Sequence, residues 1–314
     1  MFRIEAEMLS DVGRRRPRNE DAIDQRLPAT DEAASVLGPI FVLADGIGGS
    51  VAGEIASREA VSEVIRAYYD ETLSPLLGDV IEDVRVRLRN AVRAANSRVY
   101  SMAEHNPDMQ RMATTLVMAA IRDDLFAIAH VGDSPAFLVR DGQIRKLTTD
   151  HNFAEMQVRA GYLTKDEAWT HPDRHKLVRA VGRLTTIEVD IVSDVLRPGD
   201  YLLLCSDGLT RYVMPIEMMA VLKSQSLAEA VPALVERANE RGGSDNISLI
   251  AIHALPEDGS ELEISTASLP KGKRKMLIRR FRLRRLRAFL LGFTAVFTAI
   301  ISFVSMKVSN RRAG

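Results

Sequence analysis

Two hydrophobic periodicities alternate along the chain of 314 residues. Apolar side chains that recur every three or four positions are typical of amphipathic helices, and the pattern is clearest in 80–104. The predicted helices cover 52–69, 80–104, 153–160, 215–223 and 227–240. Apolar or alternating runs predict strands at 3–9, 38–44, 115–121, 125–131, 135–140, 187–193, 200–205 and 246–253. Because these strands come in groups, the sequence predicts an α+β fold of packed sheets with helices outside.

The segment 149–186 differs from its surroundings, since it contains one helix-like piece and few apolar residues to bury. We interpret it as a surface insertion between strands that could flank a site. Its histidines, His171 and His175, are interpreted as surface residues.

The region after His253 has the composition of a membrane anchor. A polar linker leads to ten basic residues between Lys271 and Arg287, and nineteen uncharged residues follow at 288–306. As a helix this stretch would be about 28 Å long, which matches the hydrocarbon core of a bilayer. The alternative, a buried helix of a soluble protein, would require a partner domain to cover it. The predicted parts are a domain over 1–255, a polar and then basic linker over 256–287, a transmembrane helix over 288–306 and a short tail over 307–314.

Charge is divided unevenly between these parts. Residues 271–314 carry thirteen basic and no acidic side chains, whereas 1–270 carry 29 basic and 42 acidic ones. Because most of the basic residues precede the apolar span, the positive-inside rule predicts a single-pass protein of the cell membrane with its N-terminal domain in the cytoplasm. The acidic domain argues against nucleic-acid binding.

One face of the apolar span carries small polar residues. Thr294, Thr298 and Ser302 recur every four residues and therefore share a side of the helix. Such a stripe would allow self-association through close helix approach, and a lipid-facing stripe is the alternative.

Cys205 is the only cysteine, so no intrachain disulfide can form, as is usual in a reducing compartment. It lies in the apolar run YLLLCSDG. We interpret it as a buried, inert thiol rather than a nucleophile.

Acidic residues recur at the edges of the predicted strands. The motif VLADGIGG carries Asp45, and a single Asp-Gly after a strand is most often a turn. Comparable positions are Asp21 in NED, Asp133 in HVGDS, Asp207 in LLLCSDG and Asp245 in GGSDNISLIAI. Together these residues indicate one site assembled from several strands, with glycines that allow close backbone approach.

The chemistry of this set favours a hard divalent cation. Mg²⁺ and Mn²⁺ prefer carboxylate, carbonyl and water oxygens. The sequence has no His/Cys set with zinc spacing, no GxxxxGK[ST] phosphate loop and no GxSxG nucleophile elbow. Phosphate-loop and acyl-transfer chemistry are therefore disfavoured.

Six motifs occur in the order found in one enzyme family. They are DVGRRRPRNEDA, FVLADGIGGS, ATTLV, AHVGDSPAFLV, LLLCSDGLT and GGSDNISLIAI. Over about residues 5–253 the chain resembles the metal-dependent serine/threonine protein phosphatases (type 2C, PPM family), and it is most similar to their bacterial-type members. The resemblance implies an α-β-β-α sandwich, in which two central, mainly antiparallel sheets are flanked by helices, with a binuclear Mn²⁺ or Mg²⁺ centre at one edge.

The resemblance also implies roles for individual residues. Asp45 would bridge the two ions, and the carbonyl of Gly46 would bind one of them. Asp21, Asp207 and Asp245 would complete the ligand shells, Glu20 would act through water, and Asp133 would bind a third, weaker ion. Arg16 matches the arginine that binds the substrate phosphate, although Arg14, Arg15 and Arg18 are close enough in sequence to compete for that role.

The implied mechanism is direct hydrolysis. By this resemblance, two cations would lower the pKa of a bridging water and align the hydroxide for in-line attack on phosphorus, and Arg16 would help to stabilise the phosphoryl oxygens. The identity of the general acid stays open, because Ile47 stands where some members carry a histidine proposed for this step. His130 and His151 are candidate proton donors, with structural roles favoured.

The sequence therefore predicts a membrane-tethered phosphatase that acts on phosphoserine and phosphothreonine and opposes serine/threonine kinases. Its expected partners are phosphorylated proteins, a cognate kinase and the membrane, but no nucleic acid. One alternative is an inactive pseudo-phosphatase that serves as a membrane-bound binding module. Another is a metal-dependent hydrolase of small phosphoesters.

Overall fold

The structure, a computed structural model, describes residues 2–29, 33–47, 51–72 and 78–257. Eleven strands lie within these residues: β1 (Phe2–Asp11), β2 (Asp21–Arg26), β3 (Ile40–Ile47), β4 (Ala113–Thr114), β5 (Leu116–Arg122), β6 (Leu125–Val131), β7 (Ala136–Arg140), β8 (Gln143–Lys146), β9 (Asp190–Val195), β10 (Tyr201–Cys205) and β11 (Ile247–Pro256). The described helices are α1 (Val51–Tyr68), α2 (Val80–His105), α3 (Phe153–Arg159), α4 (Lys165–Thr170), α5 (Asp207–Thr210), α6 (Pro215–Ser224) and α7 (Leu227–Glu240), with short 3-10 turns at Ala33–Leu37 and Pro107–Met109.

The strands form two antiparallel sheets. The first sheet has the order β1-β11-β10-β7-β8, and the second has the order β2-β3-β5-β6-β9, with β4 paired to the end of β3. Each sheet therefore combines strands from distant parts of the sequence, and its edges collect loops that lie far apart along the chain.

Strand β3 shows why the apolar runs are nearly continuous. Ile40, Val42 and Ala44 pack under the helices α1 and α2, whereas Phe41 and Leu43 face the first sheet. Successive side chains point to opposite faces of a strand, so a strand covered on both faces needs apolar residues at every position. The sheets thus enclose one core between them and bear two further cores on their outer faces.

The helices form the outer layers. One face of α2 is buried at the positions that the sequence pattern predicted, Val84, Leu88, Ala91, Ala95 and Val99. The helix begins after Asp79, whose carboxylate accepts a hydrogen bond from the amide of Glu82 and caps the first turn. Helices α6 and α7 cover the first sheet in the same way. The predicted α-β-β-α sandwich is confirmed.

Some elements were not predicted. Strands β2 and β8 and helix α5 fall in segments that were read as loops, and the insertion 149–186 contains two helices, α3 and α4, rather than one. Strand β2, with the sequence DAIDQR, has a mostly polar pattern and owes its conformation to pairing with β3 along its whole length. Cys205 is buried as expected, and burial raises the pKa of its thiol.

The predicted membrane span, 288–306, lies outside the described residues. Among the helices that the structure does describe, none combines the length and apolar character that crossing a bilayer requires. The anchor therefore stays a prediction from the sequence.

Candidate active site

Two of the predicted ligands face each other across neighbouring strands. Asp21 is the first residue of β2, and its Cα pairs with that of Asp45 in β3. Asp45 was expected after the end of its strand, but β3 continues through Ile47 because Gly46 and Ile47 pair with β4. The two carboxylates therefore lie on a rigid backbone at one edge of the second sheet.

The other predicted carboxylates come from both sheets. Asp207 follows β10 as the first residue of α5, and Asp245 lies just before β11. Because β10 and β11 are antiparallel neighbours, the last residue of β10 and the first residue of β11 lie at the same end of the first sheet. Asp133 follows β6 of the second sheet. The structure thus brings all five aspartates to one end of the sandwich.

These residues lie in or beneath one cleft of about 1230 Å³. Its lining includes seven of the eight residues selected from the sequence: Arg16, Glu20, Asp45, Gly46, Asp133, Asp207 and Asp245. The eighth, Asp21, is buried below the cleft with 7% of its surface exposed.

One of the two carboxylate oxygens of Asp21 lacks a hydrogen-bond donor among the described residues. Its Oδ2 accepts a hydrogen bond of 2.6 Å from the hydroxyl of Ser248, while its buried Oδ1 has no hydrogen-bond partner among the described residues. Burial raises the pKa of Asp21 to about 7, and the charges of Asp207 and Asp245 act in the same direction. A buried carboxylate oxygen without a donor is costly unless a cation neutralises it.

Burial and nearby negative charge also raise the pKa values of the neighbouring carboxylates. Loss of solvent, and then the charge of Asp21 and other nearby aspartates, raise the pKa of Asp45 well above its usual range. Desolvation and the charge of Asp207 raise the pKa of Asp133 to about 8. Carboxylates packed in this way favour a bound cation, because divalent charge removes both their repulsion and their desolvation penalty. The donor set therefore fits hard divalent metal ions.

Close backbone packing surrounds the Asp45 motif. A Cβ atom on Gly46 would lie 2.3 Å from the carbonyl oxygen of Gly53 and 2.6 Å from that of Glu20. A Cβ atom on Gly53 would lie 2.5 Å from Oε2 of Glu20. Because any side chain would displace backbone atoms, glycine at 46 allows β3, the start of α1 and the Glu20 loop to meet beside the carboxylates.

The structure distinguishes the four arginines that follow β1. Arg16 lines the cleft and pairs with Asp245. Arg14 turns away and pairs with Glu236 at 2.9 Å, and Arg18 lies 3.9 Å from Glu54. Of the four arginines, Arg15 included, Arg16 is the one that lines the cleft, and its contact with a substrate phosphate stays a prediction.

Three polar residues of the site were missed in the sequence. Arg211 lines the cleft and lies 2.9 Å from Asp207, one helical turn earlier, and 3.6 Å from Asp245. The side chain of Asn246 accepts from the amide of Glu20 and donates to the carbonyls of Val12 and Arg18. The spacing of four in DGLTR could have indicated the Asp207–Arg211 pair.

Ser248 is the third, and its sequence gave no signal. It sits among buried apolar residues of β11, on the face that meets the other sheet. Its contact with Asp21 joins residues that are 227 positions apart.

The insertion histidine His175 is exposed, as predicted, but it also belongs to the cleft, which was not predicted. His175 lines the cleft, and its Nδ1 lies 3.7 Å from Oδ2 of Asp207. The next two residues, Lys176 and Leu177, also line the cleft, and backbone hydrogen bonding ties them to the start of α3. A polar segment with no apolar pattern gave no means of predicting this path.

A second group of metal-competent atoms lies outside the cleft lining. The ligand atoms of His130, His151 and Asp190 are within 4.8 Å of one another. His151 Nδ1 already accepts from the amide of Gly132 at 3.1 Å, and Arg179 pairs with Asp190 at 2.7 Å. The arginine supplies the positive charge, so the geometry favours a structural cluster, and neither histidine lines the cleft as a proton donor.

Comparison with known proteins decides the family. Residues 15–249 match the family model for protein phosphatase 2C. The chain belongs to the protein phosphatase 2C family. It is similar to the serine/threonine phosphatase stp of Listeria welshimeri, with 36% identity over 250 residues that cover 79% of this chain and 95% of the relative.

Solved structures agree with this assignment. The serine/threonine phosphatase of S. agalactiae superposes on this phosphatase with a TM-score of 0.71 and 33% identity, covering 80% of this chain and 99% of the other. The catalytic domain of the phosphatase PstP, in complex with two manganese ions, gives a TM-score of 0.67 and 30% identity, covering 82% and 100%. The prediction of a bacterial-type phosphatase of this family is therefore confirmed.

Proposed function

We propose that this phosphatase hydrolyses phosphoserine and phosphothreonine in proteins with the help of bound Mn²⁺ or Mg²⁺. The observation that carries the proposal is the convergence of five aspartates from two sheets on one cleft that Arg16 also lines. The manganese complex of the similar PstP domain supports the same donor chemistry.

Asp45, Asp21, Asp207 and Asp245, with the carbonyl of Gly46, would hold two ions. Glu20 would act through water, and Asp133 would hold a third, weaker ion. Bound there, divalent cations supply a water of lowered pKa as nucleophile and positive charge that offsets the phosphoryl oxygens.

Arg16 contributes the orienting contact. Its planar guanidinium can donate two hydrogen bonds to phosphate oxygens, and its pairing with Asp245 keeps it at the mouth of the carboxylate cluster. Ile47 lines the cleft but cannot transfer a proton to the leaving alkoxide. Solvent in this open cleft can supply that proton.

The test is a metal titration of turnover. Purified protein should hydrolyse a phosphothreonine peptide and p-nitrophenyl phosphate only after Mn²⁺ or Mg²⁺ is added, and a chelator should abolish the activity. Absence of turnover on both substrates would support the alternative of an inactive binding module. Turnover of p-nitrophenyl phosphate with none of the peptide would support a hydrolase of small phosphoesters.

We further propose that the chain is tethered to the cell membrane by 288–306, with its catalytic domain in the cytoplasm. The support is the uncharged length of this stretch and the ten basic residues before it, which would lie against an anionic leaflet. There the phosphatase would oppose a cognate serine/threonine kinase. The stripe formed by Thr294, Thr298 and Ser302 would permit self-association within the bilayer.

A further inference from the structure

One part of the cleft, which we call the basic arm, carries none of the predicted metal ligands. It is lined by the C-terminal turns of α2, by the segment before β4 and by the return of the insertion. Its charged residues are Arg111, Lys176, Arg183 and Glu104. The carboxylate of Glu104 accepts a 2.6 Å hydrogen bond from the hydroxyl of Tyr100. The arm therefore carries three cationic groups against one acidic group, which is the reverse of the metal-competent end.

The cationic groups are available to a ligand. Arg111, Lys176 and Arg183 are all exposed. Within the described residues, the side chains of Arg111 and Lys176 have no hydrogen-bond or ion-pair partner, and Arg183 donates only to the carbonyl of Leu177, at 3.2 Å. No acidic side chain in the described structure neutralises them, so the positive charge faces the cleft.

The backbone holds Arg183 firmly. The amide of Gly182 donates to Oδ1 of Asn96 on α2 at 2.8 Å. Gly182 has a φ of +86°, and a Cβ atom there would lie 2.3 Å from Cγ1 of Val99. The preceding residue, Val181, forms a bridge with Thr114 of β4. Arg183 is thus fixed against both α2 and the strand beside the metal-competent carboxylates.

Arg111 occupies an unfavourable backbone conformation. Its φ of +77° lies in the left-handed region, which costs an arginine free energy that glycine would not lose. Residues held in this way cluster at binding sites. At Arg111 the strained turn places a cation in the lining of the cleft.

The distance between this arm and the carboxylates determines which side chains of a bound substrate can contact the arm. Ile47 of β3 pairs with Ala113, and Arg111 lies two residues before Ala113. Since two residues span at most about 7 Å and paired Cα atoms are about 5 Å apart, Arg111 lies within about 12 Å of Ile47. An extended peptide advances about 3.3 Å per residue, so Arg111 lies within reach of side chains up to about four residues from a phosphoresidue at the carboxylates.

Resting on the proposed function, we propose that this basic arm, formed by Arg111, Lys176 and Arg183, selects phosphoprotein substrates with acidic side chains two to four residues from the phosphoserine or phosphothreonine. Asp and Glu at these positions would pair with cations that have no acidic partner among the described residues. Lys and Arg at these positions would be repelled by the positive charge of the arm. The arm would therefore favour substrates with acidic flanking side chains and disfavour substrates with basic ones.

The test compares phosphothreonine peptides of equal length with the full-length chain in an uncharged detergent and saturating Mn²⁺. One peptide carries Asp or Glu at the second to fourth positions on both sides, and the other carries Lys or Arg there. We expect kcat/KM to be about tenfold or more higher for the acidic peptide, with a ratio that falls as salt rises. The triple variant R111A/K176A/R183A should reduce the ratio to within about threefold of one.

The matched control is R93A/K165A/K223A, which removes three exposed basic residues outside the cleft lining. It should keep the wild-type ratio. If the triple variant does not fold, as judged by its thermal transition, Lys176→Glu alone should still lower the ratio by about threefold or more.

Equal kcat/KM for the two peptides, or an unchanged ratio in the folded arm variants, would overturn the acidic preference while leaving the phosphatase function intact. Absence of turnover on every phosphopeptide would instead contradict the phosphatase function, and this inference with it.

Discussion

Arg16 binds the carboxylate of Asp245 through two nitrogens, Nε to Oδ1 at 2.8 Å and Nη2 to Oδ2 at 3.0 Å. The pair joins the loop after β1 to the residue before β11. The two segments approach closely, since a Cβ atom added at Gly13 would lie 2.1 Å from the carbonyl oxygen of Asp245. Arg16, the arginine proposed to bind phosphate, is therefore paired with a carboxylate proposed to bind metal.

Replacing Arg16 with alanine should lower kcat/KM for a phosphothreonine peptide about ten- to a hundredfold. The loss of a charge-assisted bond to phosphate costs about 1.5–3 kcal/mol. The matched control is Arg14→Ala, because Arg14 pairs with Glu236 away from the cleft. A silent Arg16→Ala combined with a crippling Arg14→Ala would show that the phosphate contact has been placed on the wrong arginine.

Replacing Gly46 with alanine should abolish most of the turnover. The added methyl group would lie 2.3 Å from a backbone oxygen, so the Asp45 strand must move relative to α1 and the Glu20 loop. Gly78→Ala is the control, because a Cβ atom there meets nothing within 4 Å. Steady-state kinetics with saturating Mn²⁺ gives the comparison. Equal activity of the two variants would mean that the close approach at Gly46 does not matter for the site.

Lowering the pH should destabilise the domain through His253. Burial, followed by the charge of Arg3, lowers the pKa of His253 to about 4, against 6.5 for a free histidine. Between these values the unfolded chain binds a proton that the folded chain does not, so the free energy of unfolding falls as pH decreases through this window and is unaffected above it.

The variant His253→Phe isolates this contribution, since a phenyl ring can keep the stacking on Tyr201, whose ring centroid lies 3.9 Å away. In urea unfolding, the free energy of unfolding should fall less between pH 7 and pH 4 in the variant than in the wild type. The difference should be on the order of 1–2 kcal/mol, allowing for the partial exposure of the ring. An identical pH dependence in both proteins would contradict the assignment.

Removal of the C-terminal tail should separate membrane binding from catalysis. A chain that ends at about Asp258 keeps every metal-competent residue and all described strands, so it should be soluble and active on p-nitrophenyl phosphate. The full chain should sediment with membranes and need detergent for extraction. Recovery of the full chain in the soluble fraction would contradict membrane binding by the tail. Loss of activity on truncation would contradict the prediction that catalysis does not need the tail.

The sequence predicted the parts of the fold that bury apolar residues. The face of α2 and the strand β3 were recognisable because their hydrophobic spacing reflects burial directly. Strand β8, with the sequence QIRK, is mostly exposed and has no such pattern, and its conformation comes from pairing with β7. Strands of this kind depend on a partner that a linear pattern does not reveal.

The sequence also predicted some residues of the candidate site and not others. Its carboxylates were found because each stands beside an apolar strand in a motif with glycine or asparagine. Asn246 and His175 were missed because their place in the site depends on long-range packing, such as the Asn246 contact to Glu20, 226 residues away. Arg211 was missed although its spacing of four from Asp207 is a local signal. Residues that position a site carry weaker local signals than residues that form it.

The most direct test of the central claim is Mn²⁺ binding and turnover in Asp45→Asn, with Asp24→Asn as the control from the neighbouring strand. Asp24 is exposed on β2 and lies outside the cleft lining. If the aspartates at the cleft hold the catalytic ions, calorimetry should show lost or strongly weakened Mn²⁺ binding in Asp45→Asn, with kcat reduced on the order of a hundredfold or more and an unchanged fold. Asp24→Asn should behave as wild type. Near-normal turnover of Asp45→Asn at saturating Mn²⁺ would contradict the account.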